Sequence, residues 1–283
     1  MSGVLYIVAT PIGNLDDITH RAVEVLKAAD LIAAEDTRHS QRLLAHLGIR
    51  RKMLSLHEHN EARRVDRLLS RLQAGDRVAL ISDAGTPLIS DPGYALVHAV
   101  REAGIRVSPV PGPSAIVAAL SAAGLPTDRF SFHGFLSQKN AERLDRLAEM
   151  RQAPGTQVVL ESSHRIRRLL EQLQTVLPER RVVVAKELTK THENFLEGTA
   201  AGILRLFDED PSLQKGEFVV LIDGPGLADR PALDDDVVHA LTLLMTELSV
   251  KKAVKLCSEL TGCKRNELYQ AALAIERAGA ANP

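Results

Sequence analysis

At 283 residues the chain exceeds what one core usually organises, so two domains with a small appendage are expected. Apolar residues make up 45% and charged residues 25%, a globular balance that excludes a disordered chain. The 35 Lys and Arg nearly cancel the 36 Asp and Glu, which excludes polyanion binding through the field of the whole molecule and leaves only a local patch. Residues 1–9 carry no basic leader ahead of a long apolar stretch, and no later run reaches membrane-spanning length, so a cytoplasmic protein without a membrane partner is expected. Cys257 and Cys263 lack the partner spacing of a zinc site; they are read as reduced structural thiols, and no metal is expected.

Short β-branched runs alternate with amphipathic stretches from residue 4 onward, the pattern of crossover βαβ units and a parallel sheet. Strands are predicted at 4–9, 31–35, 77–82, 105–110 and 129–134. Helices are predicted at 18–29, 38–47, 60–74, 92–103 and 113–123, the first with Asp17 and Thr19 as caps. Together they form a first α/β domain over 1–135. A polar segment at 136–140 leads into a helix and strands at 157–161, 181–187, 194–199 and 217–222. Consecutive strands without long helices between them predict a mixed sheet in a second α/β domain over 136–223. The turn-formers Gly224-Pro225-Gly226 and Arg230-Pro231 then mark a linker. Helices at 234–247, 249–262 and 264–277 complete a small C-terminal helical domain over 224–283, with Ser249 and the Cys263-Lys264-Arg265-Asn266 segment as helix starts.

Three loops, each at the carboxyl end of a predicted parallel strand, carry the chemical signal, because α/β proteins place ligands there. The first runs from Ala9 to Thr19, where Pro11 and Gly13 permit close backbone approach; an ordinary βα turn is the plainer reading. Ser82-Asp83-Ala84-Gly85-Thr86-Pro87-Leu88-Ile89-Ser90-Asp91-Pro92-Gly93 follows an apolar strand with two Gly/Pro turns. There Asp83 is suited to offset an ammonium or sulfonium, and Asp91 reads as a helix cap ahead of Pro92. In the third, Val110-Pro111-Gly112-Pro113-Ser114-Ala115-Ile116, Ser114 opens an apolar helix, either as a plain helix start or beside a polar ligand.

In this order, the Pro11 loop, the run from Asp83 to Gly93, and Pro111-Gly112-Pro113-Ser114-Ala115 resemble the tetrapyrrole-methylase-like methyltransferases, over residues 4 to about 222. Pro11-Ile12-Gly13-Asn14-Leu15, Ala34-Glu35-Asp36-Thr37-Arg38, Asp83-Ala84-Gly85-Thr86-Pro87, Lys215-Gly216-Glu217-Phe218 and the C-terminal helices are similar to the ribosomal RNA branch of that family. The resemblance implies S-adenosylmethionine bound in a cleft between the two α/β domains and a homodimer. It also implies 2′-O-methylation of a decoding-centre cytidine of 16S rRNA in the small ribosomal subunit. Carried over residue by residue, the cofactor contacts implied are Pro11, Asp83, Gly85, Thr86, Ser114 and Ala115, with backbone around Ser162, Leu188 and Gly216 from the second domain, where the loops after 161 and 186 read equally as capped βα junctions.

Transfer of a methyl group to a ribose oxygen requires a positioned hydroxyl and gains from a base. Glu35 and Asp36 sit beside Arg38, so a carboxylate there suits the hydroxyl while Arg38 suits a phosphate; capping of the next helix explains the same residues equally. Lys186 and Glu187 form a second candidate pair, against the alternative of a surface ion pair. No base is assigned. His57-Glu58-His59-Asn60-Glu61 reads as a polar loop without metalloprotease spacing. For RNA, Lys251, Lys252 and Lys255 fall at spacings that place two or three ammonium groups along one side of a short helix and Lys264 and Arg265 begin the next, with a solvated basic face as the alternative and Arg38, Arg63, Arg64 and Arg165 as further cations. Two other functions fit the same pattern: a methyltransferase acting on corrin or porphyrin precursors, and a non-catalytic RNA-binding assembly factor that retains the fold.

Overall fold

The computed structural model describes residues 3–57, 61–225 and 235–280. The chain separates into two compact units, Met1–Gly224 and Pro225–Pro283. In the first unit, β1 (Val4–Val8), α1 (His20–Ala28), β2 (Leu31–Ala34), α2 (Thr37–His46), β3 (Met53–Ser55), α3 (Glu61–Gln73), β4 (Arg77–Ile81), α4 (Tyr94–Glu102), β5 (Arg106–Val110) and α5 (Ala115–Ala122) follow in chain order. The five strands make an all-parallel sheet in the order β3-β2-β4-β1-β5, with Val4 opposite Arg77 on one side and Arg106 on the other.

Alternation along the strands divides the core between the two faces. Leu5, Val78 and Leu80 pack with Leu68 and Leu72 of α3 and Leu96 and Val100 of α4, while Val8, Ile32, Ala79 and Ile81 pack with Leu26 of α1 and Leu44 of α2. With both faces covered, the central strands read as continuous apolar runs. Thr19 caps α1, its Oγ1 accepting Ala22 N–H at 3.1 Å, whereas Asp17 lies inside a 3-10 turn, Leu15–Asp17. The strand β3 has no counterpart in the sequence reading: it is a three-residue edge strand, too short to display a period.

A second sheet follows, built from β6 (Phe130–Phe135), α6 (Asn140–Glu149), β7 (Thr156–Ser162), α7 (Ile166–Val176), β8 (Val182–Lys186), β9 (Asn194–Gly198), α8 (Ala200–Glu209) and β10 (Glu217–Ile222). Its order is β6-β7-β10-β8-β9, with β6 parallel to β7 and the other pairs antiparallel, the mixed sheet that was expected. The strand predicted at 129–134 does not close the first sheet. It is β6, and Phe130 pairs with Thr156. The reason lies in α5, whose Ile116, Ala119 and Leu120 bury against Val158, Val183 and Val219 of the second sheet and so carry the chain across before β6 begins. The strands are also less consecutive than predicted, since α7 and α8 intervene; Leu169, Leu173, Ile203 and Phe207 from them cover the outer face of the sheet.

The unit Pro225–Pro283 holds α9 (Asp235–Glu247), α10 (Val250–Thr261) and α11 (Arg265–Ala280), packed around Leu241, Ala253, Val254, Cys257, Leu268 and Ala272. Gly262, with φ of 74°, ends α10 in the left-handed conformation that glycine adopts without penalty. Ser249 stands at the start of α10 but caps it through its carbonyl, which accepts Ala253 N–H at 2.9 Å, rather than through its side chain. Among the described residues no helix is long and apolar enough to cross a membrane.

Candidate active site

The three loops at the carboxyl ends of β1, β4 and β5 form one wall because they are bonded to each other. Thr10 and Gly85 exchange backbone N–H to carbonyl bonds of 2.9 and 3.0 Å, Thr10 Oγ1 donates to the Ser82 carbonyl at 3.1 Å, and Thr86 Oγ1 donates to the Pro113 carbonyl at 3.1 Å. The β4–α4 loop is tightly folded: Gly85 has φ of 78°, and the non-glycine residues Leu88 and Ser90 have 73° and 65°. Left-handed non-glycine residues cost free energy and concentrate where a site dictates the backbone.

Across from this wall stands the inner face of the second sheet. Leu160, Ala185 and Val219 present the apolar surface, and Phe135 stands at one margin. Between the walls lies a cleft of about 310 Å3. Beside the lining residues Ile12, Leu188 and Lys190, the β1 loop meets the β8–β9 turn. Asn14 N–H donates to Thr189 Oγ1 at 3.0 Å, and a Cβ at Gly13 would lie 2.6 Å from the Lys190 side chain and 2.8 Å from the Leu188 carbonyl, so only glycine allows this approach.

Of the residues implicated from sequence, Gly85, Thr86, Ser114, Ala115, Ser162 and Leu188 line this cleft, together with Asp91 and Glu161. Pro11 is buried next to the lining residue Ile12 and is not itself in the lining. Asp83 is not in the lining but borders it: its Oδ1 accepts Asp36 N–H at 3.0 Å, and its charge acts on the lining residue Asp91. Gly216 lines a different cavity, beside Glu187. A Cβ at Gly216 would come within 2.5 Å of Glu187 Cγ, so the glycine makes room for that side chain.

Asp91 is not the cap of α4. Gly93, at φ of 129°, occupies that position without a side-chain bond, and a residue in that conformation cannot lie inside a helix beginning at Pro92. The freed Asp91 carboxyl reaches the cleft. Burial raises its pKa, with a Ser82 hydrogen bond acting the other way and the Asp83 charge adding to the rise. Glu35 is shifted up as well, first by burial and then by the Asp91 and Asp83 carboxylates. Asp36 is a helix cap: it accepts Arg38 N–H at 2.8 Å, a bond that holds its carboxyl below the usual range, and Arg38 itself is exposed.

Glu161, Lys190 and Glu217 line the cleft but escaped the sequence reading as ligand contacts; an acid ending an apolar strand was the available signal for Glu161. The Glu161 side chain is fully buried. Its Oε1 accepts Ser162 N–H at 2.9 Å and pairs with Arg165 Nε at 3.2 Å. Burial raises its pKa against the opposing influence of the Ser162 bond and of Arg165 and Arg143. Lys190 Nζ bridges Glu187 Oε1 at 2.9 Å and Glu217 Oε2 at 3.0 Å. Lys186 and Glu187 do not reach the cleft, and line the cavity that contains Gly216.

In the C-terminal unit Lys251, Lys252 and Lys255 on α10 and Lys264 and Arg265 at the start of α11 are all exposed. Lys264 lies 3.9 Å from Glu267 and Arg265 lies 3.8 Å from Glu259. His57 is described and partly buried; Glu58, His59 and Asn60 lie outside the described residues, as does the side chain of Arg63. Among the described residues no cluster of His, Cys, Asp or Glu is suited to a metal.

Residues 4–204 match the family model of the Tetrapyrrole (Corrin/Porphyrin) Methylases. The chain belongs to this family. Residues 231–276 of this methylase match the RsmI C-terminal HTH domain. It is 52% identical to the Ribosomal RNA small subunit methyltransferase I of Escherichia coli O157:H7, over 96% of this chain and 95% of that protein. It is 49% identical to the protein of the same name from Haemophilus influenzae, over 97% and 98%. Among solved structures the methylase shares its fold with diphthine synthase, at a TM-score of 0.61 and 16% identity over 80% of this chain and 91% of that one. The methyltransferase CobJ gives a TM-score of 0.59 at 22% identity over 79% and 95%.

Proposed function

We propose that this methylase transfers a methyl group from S-adenosylmethionine to ribosomal RNA of the small subunit, at the 2′-hydroxyl of a decoding-centre cytidine of 16S rRNA. Near-full-length identity of about half to proteins named as ribosomal RNA small subunit methyltransferases supports the RNA reading over a tetrapyrrole substrate. The observation that carries the chemistry is the cleft where the three loops of the first sheet face the second sheet.

The residues fit the cofactor. A volume of about 310 Å3 falls at the lower end of the ~300–1,000 Å3 range of small-molecule sites. Its lining pairs apolar side chains suited to an adenine ring (Ile12, Leu160, Leu188) with hydroxyls (Thr86, Ser114, Ser162) suited to a ribose and an amino-acid group. Asp91, a carboxyl residue of the lining, suits an ammonium or a sulfonium, while the buried Glu161 carboxyl is held by Ser162 N–H and Arg165. When bound, S-adenosylmethionine supplies an electrophilic methyl group.

The chain's part is to orient and to exclude water. The bonded loops hold one wall together, the Gly13 contact ties the β1 loop to the β8–β9 turn, and the fixed approach of hydroxyl to methyl provides much of the rate. Glu35 lies outside the lining but close enough to the lining residue Asp91 for their charges to interact, and its side chain, unlike that of the capping Asp36, is not tied to a helix start, so it is the better candidate to take the hydroxyl proton as it leaves. The exposed cations of α10 and α11 are proposed to hold RNA phosphates, and a cytoplasmic homodimer is proposed as the working form. The test is transfer of a tritiated methyl group from S-adenosylmethionine to purified small subunits lacking the modification, with nucleosides resolved by mass. Label in 2′-O-methylcytidine is the expected result. No label in rRNA, with cofactor still bound, would leave an assembly role.

A further inference from the structure

On the other face of the second sheet lies a second cavity of about 510 Å3, bounded by Lys186, His192, Ser212, Lys215 and Gly216. The alternation of β8 sends Val183 and Ala185 to the cleft side and Val182, Val184 and Lys186 to the helical side, where the turn Pro211–Gln214 lies. The Lys186 charge adds to the lowering of the Asp210 carboxyl, which puts the ammonium on the side of that turn. Lys186 is only 7% exposed, yet it makes no hydrogen bond and no ion pair within 4 Å among the described residues. Its aliphatic stem is buried while its Nζ is not among the buried polar atoms and has no direct partner, so the ammonium is free to meet an anion entering the cavity.

The acids around the cavity are already engaged. Glu187 Oε1 accepts Lys190 Nζ and Glu217 N–H, each at 2.9 Å. Glu193 Oε2 accepts Thr189 N–H at 2.6 Å, and Asp210 Oδ1 accepts Ser212 N–H at 2.9 Å. The Lys215 ammonium and the His192 ring make no such bonds among the described residues, and both are donors suited to phosphate oxygens, while the Ser212 hydroxyl is engaged with Asp210. The cavity is also joined to the cleft: the Glu187–Lys190–Glu217 network is their shared wall, with Glu187 lining the cavity and Lys190 and Glu217 lining the cleft.

We propose that Lys186 and Lys215 form a backbone-phosphate site, holding a phosphate of the substrate RNA strand beyond the edge of the second sheet while the reacting ribose enters the cleft. The proposal rests on the RNA reading above. Lys186 is then a binding residue outside the reaction centre, and the Lys186 and Glu187 pair does not act as one catalytic unit.

The test uses the full chain and purified unmethylated small subunits, with Lys215→Ala, Lys186→Met, their double variant and Lys186→Arg. Affinity for subunits is measured by filter binding across a salt series, alongside KM for subunits, KM for S-adenosylmethionine and melting. The expected result is a roughly tenfold loss of subunit affinity in the double variant and a salt slope shallower by about 0.7 per lost phosphate contact on single-stranded RNA. KM for the cofactor stays unchanged, and Lys186→Arg restores most of the affinity. Exposed Lys215 keeps the test readable if Lys186→Met fails to fold. Wild-type affinity and slope in Lys215→Ala, with only melting altered in the Lys186 variants, would overturn the site. Failure of the wild-type protein to label small subunits would instead overturn the RNA reading itself.

Discussion

Asp36 N–H donates to Asp83 Oδ1 over 3.0 Å, joining the turn after β2 to the turn after β4. A carboxylate at the head of the most distinctive loop in the sequence therefore works as a clamp between two loops, and Gly85, two residues on, lines the cleft.

Asp83→Ala is expected to lower stability by about 1 kcal/mol, the ordinary worth of such a hydrogen bond. Affinity for S-adenosylmethionine should fall by less than in cleft-lining variants. Thermal melting and calorimetric titration check both; a large affinity loss with unchanged melting would return Asp83 to the cofactor.

Gly85→Val meets two obstacles. The φ of 78° strains a β-branched residue by about 1–3 kcal/mol, and its Cβ would stand 3.4 Å from Ile12 Cγ2 at the mouth of the lining, with the γ methyls beyond it. The variant should fold and bind the cofactor at least about tenfold more weakly, a loss of some 1.4 kcal/mol, read by calorimetry on the soluble protein.

Glu35→Gln tests the acidic cluster through pH. Because the folded-state pKa of Glu35 is raised, its contribution to stability is fully present below the ordinary glutamate value of about 4.3 and is lost as pH rises through the folded value. Removing the charge should raise melting at neutral pH and flatten the decline above that value, since glutamine keeps an oxygen for Asp83 N–H. Identical melting curves for both proteins from pH 4 to 8 would rule this out. Methyl transfer should fall in the same variant if Glu35 takes the proton.

Lys251, Lys252 and Lys264, changed together to Glu, should leave cofactor affinity and melting intact while weakening small-subunit binding and making its salt dependence shallower. The exposure of all three motivates this. Normal methylation with an unchanged salt slope would mark the basic face as solvated surface.

The sequence alone determined the elements and the loops. Period-2 and period-3.6 patterns located β1, β2, β4, β5 and the helices between them, and the Gly/Pro turns marked the three loops that meet at the cleft, because these signals are local. What only the tertiary structure decided depends on distant partners. Strand β6 reads like a fifth strand of the first domain, and only the burial of α5 against the second sheet sends it across. Asp91 beside Pro92 reads as a cap, and only the left-handed Gly93 displaces the helix start and turns the carboxyl to the cleft. Asp83, Glu161 and Lys186 look alike as charged residues near strand ends. Glu161 meets Arg165 only four residues on, but the partners of the other two, Asp36 and an open cavity, are set by loop contacts and strand alternation across the fold, so nothing near Asp83 or Lys186 in the chain could have told a clamp from a proposed phosphate site.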